Sequence, residues 1–238
     1  MKDQYLIKFS KRDSIKFIGH LDLMRTLQRM IKRTDLPVEY SKGFNPHINM
    51  SIAQPLAVGI YSCGEYMDLY FEEGVSEEEI LEKLNRNAPL GIEILKVNKV
   101  YNMESKKVFK SMAAVRAAKY NIQIPFKDTS KIEIHMENLM NMIAWNSLKK
   151  TKKGEKEINI KVLVKYMDYF VYGNKLILDT TISSGSVDNL SPGLLSDYIK
   201  DNIKGADKNS FVNIMREEMY GEMENNLVPL YEYVEKMY

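Results

Sequence analysis

The spacing of apolar residues predicts that the first half of the chain forms strands and helices in the order β-α-β-β-α-β. Apolar residues alternate, as in half-buried strands, over 4–10, 48–52, 67–71 and 92–99. Helical spacing covers 20–34 and resumes after Ser76, where three glutamates follow in a capping-box pattern. This order is that of the split βαβ, or ferredoxin-like, unit.

The second half of the chain repeats this order. Alternation typical of strands is present at 118–126, 158–164, 176–182 and 211–214, and helical spacing at 136–143 and 191–199. We therefore expect an α+β fold of two tandem ferredoxin-like (split βαβ) domains with antiparallel sheets. Their expected limits are 1–105 and 106–238, the second domain including the C-terminal tail. Residues 149–157 are expected to form an exposed basic loop within it.

Several classes of protein are disfavoured by the composition. The apolar runs are too short for a membrane-spanning helix, and the N-terminal residues lack the apolar core of a signal peptide, so we expect a cytoplasmic protein. The single cysteine, Cys63, excludes an internal disulfide and a multi-cysteine metal or iron–sulfur site within this chain. We expect no cofactor and assign no metal ligands.

Charge is strongly segregated, although the formal net charge is only +2. Residues 1–55 and 106–165 are basic, whereas 56–105 and 166–238 are acidic. Basic blocks of this kind are typical of proteins that bind a polyanion. The alternative is an ordinary solvated surface.

One predicted helix concentrates cations on a single face. Arg25, Arg29 and Arg33 follow each other at four-residue intervals with Lys32 beside them, opposite the apolar stripe. Such a face can contact several phosphates at once, which favours RNA as a partner. The residues that we expect to contact RNA are Lys8, Lys11, Arg12, Arg25, Arg29, Lys32, Arg33, Tyr40, Lys42, Phe44 and Asn45.

A polar loop, Ser41 to His47, separates two predicted strands. Gly43 and Pro46 are explained by a positive-φ turn and a rigid exit from it. Aromatic residues flanking the loop can stack on unpaired bases or pack on the protein. Ser41 and Asn45 can bind a ligand or simply close the turn. The carboxylate of Glu65 can serve the same site or orient an arginine.

Two histidines are candidates for chemistry. His20 begins the basic helix and His47 ends the loop, so an imidazole base assisted by Lys42 is conceivable, as is a metal site. The alternative is that His20 caps its helix and His47 forms hydrogen bonds within the loop. The sequence leaves both interpretations open.

Three motifs carry a resemblance to a known family: His20-Leu-Asp-Leu, Leu36-Pro-Val-Glu-Tyr-Ser-Lys-Gly-Phe-Asn-Pro-His47 and Gly64-Glu-Tyr-Met-Asp68. The chain resembles a radical-SAM-linked bacterial family of unknown function, whose members occur alone or fused behind radical S-adenosylmethionine enzymes. The resemblance implies a radical-enzyme partner and a setting of ribosome and RNA metabolism, and it supplies no catalytic residue. The partner would hold the iron–sulfur cluster, since this chain lacks a Cys-x-x-x-Cys-x-x-Cys motif.

Three functions follow as hypotheses. The first is a non-catalytic accessory protein that binds structured RNA, ribosomal or transfer, for a radical enzyme. The second is a metal-independent endoribonuclease using His20 and His47, because tandem ferredoxin-like domains are similar to those of CRISPR repeat-processing endoribonucleases. The third is a protein-interaction scaffold whose docking surfaces are the acidic segments 65–82 and 217–235.

Overall fold

The computed structural model describes residues 3–101, 108–151 and 154–238, and these form an α+β fold. The chain divides into two compact units, residues 1–116 with 216–238 and residues 117–215. No helix in the described ranges is long and apolar enough to cross a membrane. In chain order the elements are β1 (Asp3–Lys11), α1 (His20–Lys32), β2 (Met50–Ile52), β3 (Ile60–Phe71), α2 (Glu77–Arg86), β4 (Ile92–Val100), α3 (Ser111–Ala114), β5 (Ala117–Pro125), α4 (Ile132–Asn141), β6 (Asn146–Thr151), β7 (Gly154–Asn159), β8 (Val164–Tyr172), β9 (Lys175–Ser183), α5 (Pro192–Asn202), β10 (Asn213–Met223), β11 (Asn226–Pro229) and α6 (Leu230–Met237).

The first unit is built on the antiparallel strands β4-β1-β3, and β2 also pairs antiparallel with β3. Side chains of α1 and α2 cover one face of this sheet. Leu23, Leu27 and Met30 of α1 are buried there against Tyr5 and Phe9 of β1. The stripe that predicted α1 is therefore the stripe that the helix buries, and its polar side faces away from the core.

The start of α2 follows from the capping residues. The Ser76 side chain accepts a hydrogen bond from the Glu79 backbone N–H at 3.2 Å, and three glutamates occupy the first turn. Their negative charge lies at the positive end of the helix dipole, which stabilises this end. Ile80 and Leu84 of the same helix are buried in the core.

The C-terminal segment lies with the first unit, which differs from the expected division at residue 105. β10 is the neighbour of β3 in the strand order. Gly64 permits this approach, because a Cβ at that position would lie 2.7 Å from the Cα of Glu218. Arg216 of β10 donates to Glu65 of β3 through Nε and Nη2, at 2.8 and 2.5 Å, and both side chains are buried. Such long-range contacts leave no trace in local periodicity.

The second unit contains the antiparallel strands β5-β9-β8 and a separate hairpin of β6 and β7. The prediction of one strand over 158–164 is wrong. β7 ends at Asn159, a 3-10 turn covers Ile160–Leu163, and β8 then begins. The Asn159 side chain produces the break by accepting hydrogen bonds from the N–H groups of Trp145 and Lys161.

The basic stretch expected as a loop belongs to this hairpin rather than to irregular backbone. Described residues of 149–157 pair between β6 and β7, and 152–153 lie outside the described part. Residues 154–157 are exposed, so this expectation of a solvent-facing segment agrees with the structure there.

The Glu65–Arg216 pair predicts a specific pattern of stability. Arg216→Ala leaves a buried carboxylate without its guanidinium, so the free energy of unfolding should fall by about 3–5 kcal/mol. The double replacement Glu65→Leu/Arg216→Met should recover much of that loss, because it leaves no unpaired charge. Urea denaturation followed by circular dichroism measures both.

The exposed Arg86–Glu82 pair of α2 provides the control. Arg86→Ala should change the free energy of unfolding by less than about 1 kcal/mol, because exposed ion pairs contribute little. Equal losses for Arg216→Ala and Arg86→Ala would contradict the importance given to the buried pair.

Candidate nucleic-acid interface

The exposed side of α1 carries Arg25, Arg29 and Lys32, and Arg33 follows directly after the helix; we call these four cations the basic face. Helical geometry places them within about 100° of the helix circumference, opposite the buried stripe. The Arg25 Nη1 atom lies 3.0 Å from Asp22 Oδ1, with both side chains about two-thirds exposed. Such a pair is weak, so a phosphate can replace the carboxylate.

The C-terminal end of the basic face is held more firmly. Arg33 follows the last residue of α1 and donates from Nη2 to the Asn87 carbonyl oxygen at 2.9 Å. This contact fixes the guanidinium at the surface while leaving its other N–H groups to bind an anion. Arg29 and Lys32 are likewise exposed.

Two lysines expected at this surface are engaged in the protein instead. Lys8 Nζ lies 2.6 Å from Glu218 Oε2, and its side chain is only 16% exposed. Lys11 is almost fully buried and donates to the carbonyl oxygens of Lys16, Ile18 and Ile60. Burial lowers the pKa of Lys11. These contacts remove both lysines from the surface that a polyanion can reach.

Arg12 keeps an accessible position. Its guanidinium forms an ion pair with Glu93, and both side chains are largely exposed. Arg12 therefore remains a candidate contact, although it lies on the segment after β1 and not on the basic face.

The 41–47 loop is closed at its base and fully exposed. The Ser41 N–H donates to the His47 carbonyl oxygen at 2.7 Å, and the Ser41 Oγ accepts from the His47 N–H at 3.0 Å. Ser41 thus closes the turn rather than remaining available to a ligand. Gly43 has φ of +132°, a value that L side chains rarely adopt.

The tip of this loop presents side chains to solvent. Phe44 is completely exposed, and Lys42, Asn45 and Pro46 are exposed with it. At the base, Tyr40 forms a bridge with Ile48 and keeps an exposed ring. Backbone hydrogen bonds such as Glu39 N–H to the Tyr70 carbonyl oxygen, at 2.8 Å, attach the base to β3. A flat ring on a loop fixed to a sheet is suited to stacking.

The described contacts do not bring together the side chains of His20 and His47, the two candidate catalytic histidines. His20 is the first residue of α1, and its Nδ1 atom is buried without a hydrogen-bond partner in the described part of the chain. His47 is exposed in the loop. Within the described ranges, no hydrogen bond or ion pair connects His20, His47 or Lys42 to one another. Nor does any group of three or more His, Cys, Asp or Glu side chains there form a potential metal site.

The segment Gly64–Asp68 has structural roles. Glu65 binds Arg216, and the Tyr66 hydroxyl donates to Glu218 Oε1 at 2.8 Å. Asp68 is buried and accepts hydrogen bonds from the Ser111 backbone N–H and hydroxyl, and from the side chains of Ser51 and Gln4. Burial raises the pKa of Asp68, and these hydrogen bonds partly oppose the shift.

The sequence offered little sign of these partners. Ser111 and Arg216 lie 43 and 151 positions from the carboxylates that they bind. Of the two roles predicted for Glu65, the structure shows the one in which Glu65 orients an arginine, Arg216. Glu65 is therefore not part of the 41–47 loop surface.

A family model described as "Uncharacterized protein conserved in bacteria (DUF2344)" matches residues 4–192. The comparison with curated proteins returns no match. One similar solved chain belongs to a Cbf5-Nop10-Gar1 complex, with 9% identity and a TM-score of 0.48 over 92% of this chain and 50% of that one. This chain therefore spans half the length of that relative. An unknown protein from Galdieria sulphuraria has 10% identity and a TM-score of 0.27, over 91% and 99% of the two chains.

The raised pKa of Asp68 predicts the direction of a pH effect. Because the folded state holds this proton more tightly than the unfolded state, Asp68 should make stability fall as pH rises from the ordinary carboxyl range through the raised value. The free energy of unfolding of the natural chain relative to Asp68→Asn should decline over that range. Urea titrations of both proteins at several pH values measure the difference.

Glu235 supplies a control of opposite sign. Its hydrogen bond with Lys96 lowers the pKa of the Glu235 carboxyl. The natural chain should therefore lose stability relative to Glu235→Gln as pH falls through the carboxyl range. Parallel pH profiles for the two substitutions would contradict the assignment for Asp68.

Proposed function

The chain belongs to the DUF2344 family of proteins conserved in bacteria, and we propose that it is a non-catalytic accessory protein that binds structured RNA, ribosomal or transfer. The observation that carries this proposal is the basic face of α1. Four exposed cations lie on one side of a helix whose other side is fixed in a core. The cationic surface is thus formed before any ligand arrives.

The spacing of these cations suits a phosphate backbone. With a rise of about 1.5 Å per residue, Arg25, Arg29 and Arg33 follow each other at intervals of about 6 Å along the helix axis. Each guanidinium offers paired N–H donors that match phosphate oxygens. Neutralising several phosphates releases counterions, and this release supplies affinity at low salt.

The 41–47 loop adds a contact of another kind. Phe44 and Tyr40 present exposed rings, and Lys42 and Asn45 flank them. Unpaired bases in loops and bulges stack on such rings, whereas the phosphates of paired regions bind cations. The two features together favour an RNA that has both helices and unpaired bases.

The partner in this proposal is a radical S-adenosylmethionine enzyme. The support is the resemblance of the three sequence motifs to a radical-SAM-linked family. The chain contains one cysteine, so the cluster that such chemistry needs would be held by the partner. A cytoplasmic location fits an RNA ligand and is part of the proposal.

Tandem ferredoxin-like domains remain the proposed description of the fold. In the first unit, the order β4-β1-β3 with β2 paired to β3 supports a split βαβ arrangement. In the second, β5-β9-β8 with α4 after β5 and α5 after β9 supports a second copy.

The two other hypotheses have less support. An endoribonuclease needs His20 and His47 at one phosphate, and no described contact brings them together. A scaffold would use the acidic segments 65–82 and 217–235, but Glu65 and Glu218 are occupied by Arg216 and Lys8.

Reversing charge on the basic face should abolish tight RNA binding. In Arg25→Glu/Arg29→Glu/Arg33→Glu, the affinity for a structured RNA should fall at least about tenfold. The slope of log affinity against log salt should fall by about one unit per arginine that contacts a phosphate. Fluorescence anisotropy with labelled transfer RNA at several salt concentrations measures both quantities.

A control with the same change in net charge is Lys83→Glu/Arg86→Glu/Lys236→Glu, whose side chains on α2 and α6 are at least one-third exposed. This variant should keep most of the affinity. Unchanged binding by the arginine variant, or equal loss in both, would reject the basic face as the RNA contact.

Phe44→Ala should separate stacking from charge. Loss of one stacked base costs about 1–3 kcal/mol, so affinity should fall roughly fivefold or more while the salt slope stays unchanged. Phe44→Trp should retain binding because it keeps the aromatic face. An altered salt slope, or no loss of affinity for Phe44→Ala, would contradict a stacking role.

A further inference from the structure

One face of the β5-β9-β8 sheet in the second unit is exposed along its outer strand, β8, while Ile177 of β9 on the same face is buried. The opposite face carries buried residues such as Ile122, Leu176 and Leu178, and α5 contacts β5. Along the open face of β8, alternation places Tyr166, Phe170 and Tyr172, each more than half exposed. Exposed aromatic rings in a row on a sheet are unusual for a surface without a partner.

The pairing of β5, β9 and β8 brings side chains of this face together around a pocket. Phe170 pairs with Ile177, which pairs with Gln123, so the three side chains form one row across the sheet. Tyr172 pairs with Lys175 in the next row, beside the two-residue turn at Gly173 and Asn174. The pocket has a volume of about 400 Å³, within the size range of small-ligand sites. Its lining residues are Asn121, Gln123, Phe170, Tyr172, Gly173, Asn174, Lys175 and Ile177.

The polar groups of the pocket are held in place. Gln123 Nε2 donates to Asn121 Oδ1 at 3.3 Å, and Lys175 Nζ donates to Gln123 Oε1 at 3.3 Å. This relay fixes the amides and leaves the Asn121 amide N–H groups available to an acceptor. The relay also holds the ammonium group of Lys175 at the pocket.

The charge of the lining selects the ligand. Among the described lining residues, Lys175 is charged and none is acidic. In the row beyond Gln123, Asp179 pairs with Asp168 across the strands and forms an ion pair with Lys119 at 3.1 Å. A pocket of this size with one cation suits one base and one adjacent phosphate.

From these contacts we propose that the pocket binds an unpaired nucleotide of RNA. The base stacks on Phe170 and Tyr172, its edge meets the amides of Asn121 and Asn174, and its phosphate contacts Lys175. The inference deepens the proposed function, on which it rests, by giving the second unit a single-strand contact in addition to the basic face.

The test uses the full chain and a labelled single-stranded RNA octamer of mixed sequence in an anisotropy titration. Phe170→Ala/Tyr172→Ala should weaken octamer binding at least about tenfold, because stacking is lost on both rings. Phe170→Tyr/Tyr172→Phe should retain binding, because both aromatic faces remain. Both residues are exposed, so thermal melting should show little change.

Tyr166→Ala is the matched control, since Tyr166 is exposed on the same face of β8 but lies outside the pocket. It should bind the octamer normally. Equal loss for Tyr166→Ala, or no loss for the double alanine variant, would overturn the proposal. The proposal would also be overturned if the natural chain dimerised and the double alanine variant did not, because this face would then bind a second copy of the chain.

Two further measurements are needed. One distinguishes RNA from free nucleotides as the ligand, and the other distinguishes failure of the basic-face proposal from failure of the pocket proposal. Adenosine monophosphate should bind several-fold more weakly than the octamer, because any of the eight bases of the octamer can occupy the pocket, and equal affinity would assign the pocket to free nucleotides instead. Arg25→Glu/Arg29→Glu/Arg33→Glu should weaken transfer RNA binding and largely retain octamer binding. Failure of the basic face therefore appears with transfer RNA, and failure of the pocket appears with the octamer.

Discussion

The buried ion pair between Glu65 and Arg216 is the interaction on which the first unit depends. Each charge is costly to remove from water, and each is compensated here by two short hydrogen bonds, with a further one from Arg216 to the Gln54 carbonyl oxygen. The pair fixes β10 beside β3, where Gly64 leaves room for its backbone. The C-terminal segment thereby belongs to a unit that begins more than 200 residues earlier.

The attachment of α1 and the 41–47 loop to this sheet bears on the proposed function. The helix α1 buries one side against it, so the basic face is held outward, with Arg33 fixed further by its hydrogen bond to the Asn87 carbonyl oxygen. The 41–47 loop is attached to β3 through backbone hydrogen bonds, so its exposed rings also start from a fixed base. Polar residues of Gly64–Asp68 maintain the scaffold, whereas the exposed residues of α1 and the loop are those that the proposal assigns to RNA.

Local sequence pattern predicted the elements whose cause is local. The stripe of α1 and the cap at Ser76 specify their helices directly. Lys8 and Lys11 were misplaced because their partners, Glu218 and three carbonyl oxygens, are set by tertiary structure. The prediction of a strand over 158–164 was wrong because the apolar alternation of the sequence continues through a turn that Asn159 creates. The pocket of the second unit depends on register across three strands, which no single segment reveals.

Crosslinking the protein to total cellular RNA, followed by sequencing of the bound fragments and their ends, tests the central claim most directly. The natural chain should enrich discrete structured RNAs with intact ends, and the variant reversed at Arg25, Arg29 and Arg33 should enrich none. Recurrent new 3′ ends that disappear in His20→Ala/His47→Ala would show a nuclease instead. Equal recovery of RNA by the natural and charge-reversed chains would contradict the account.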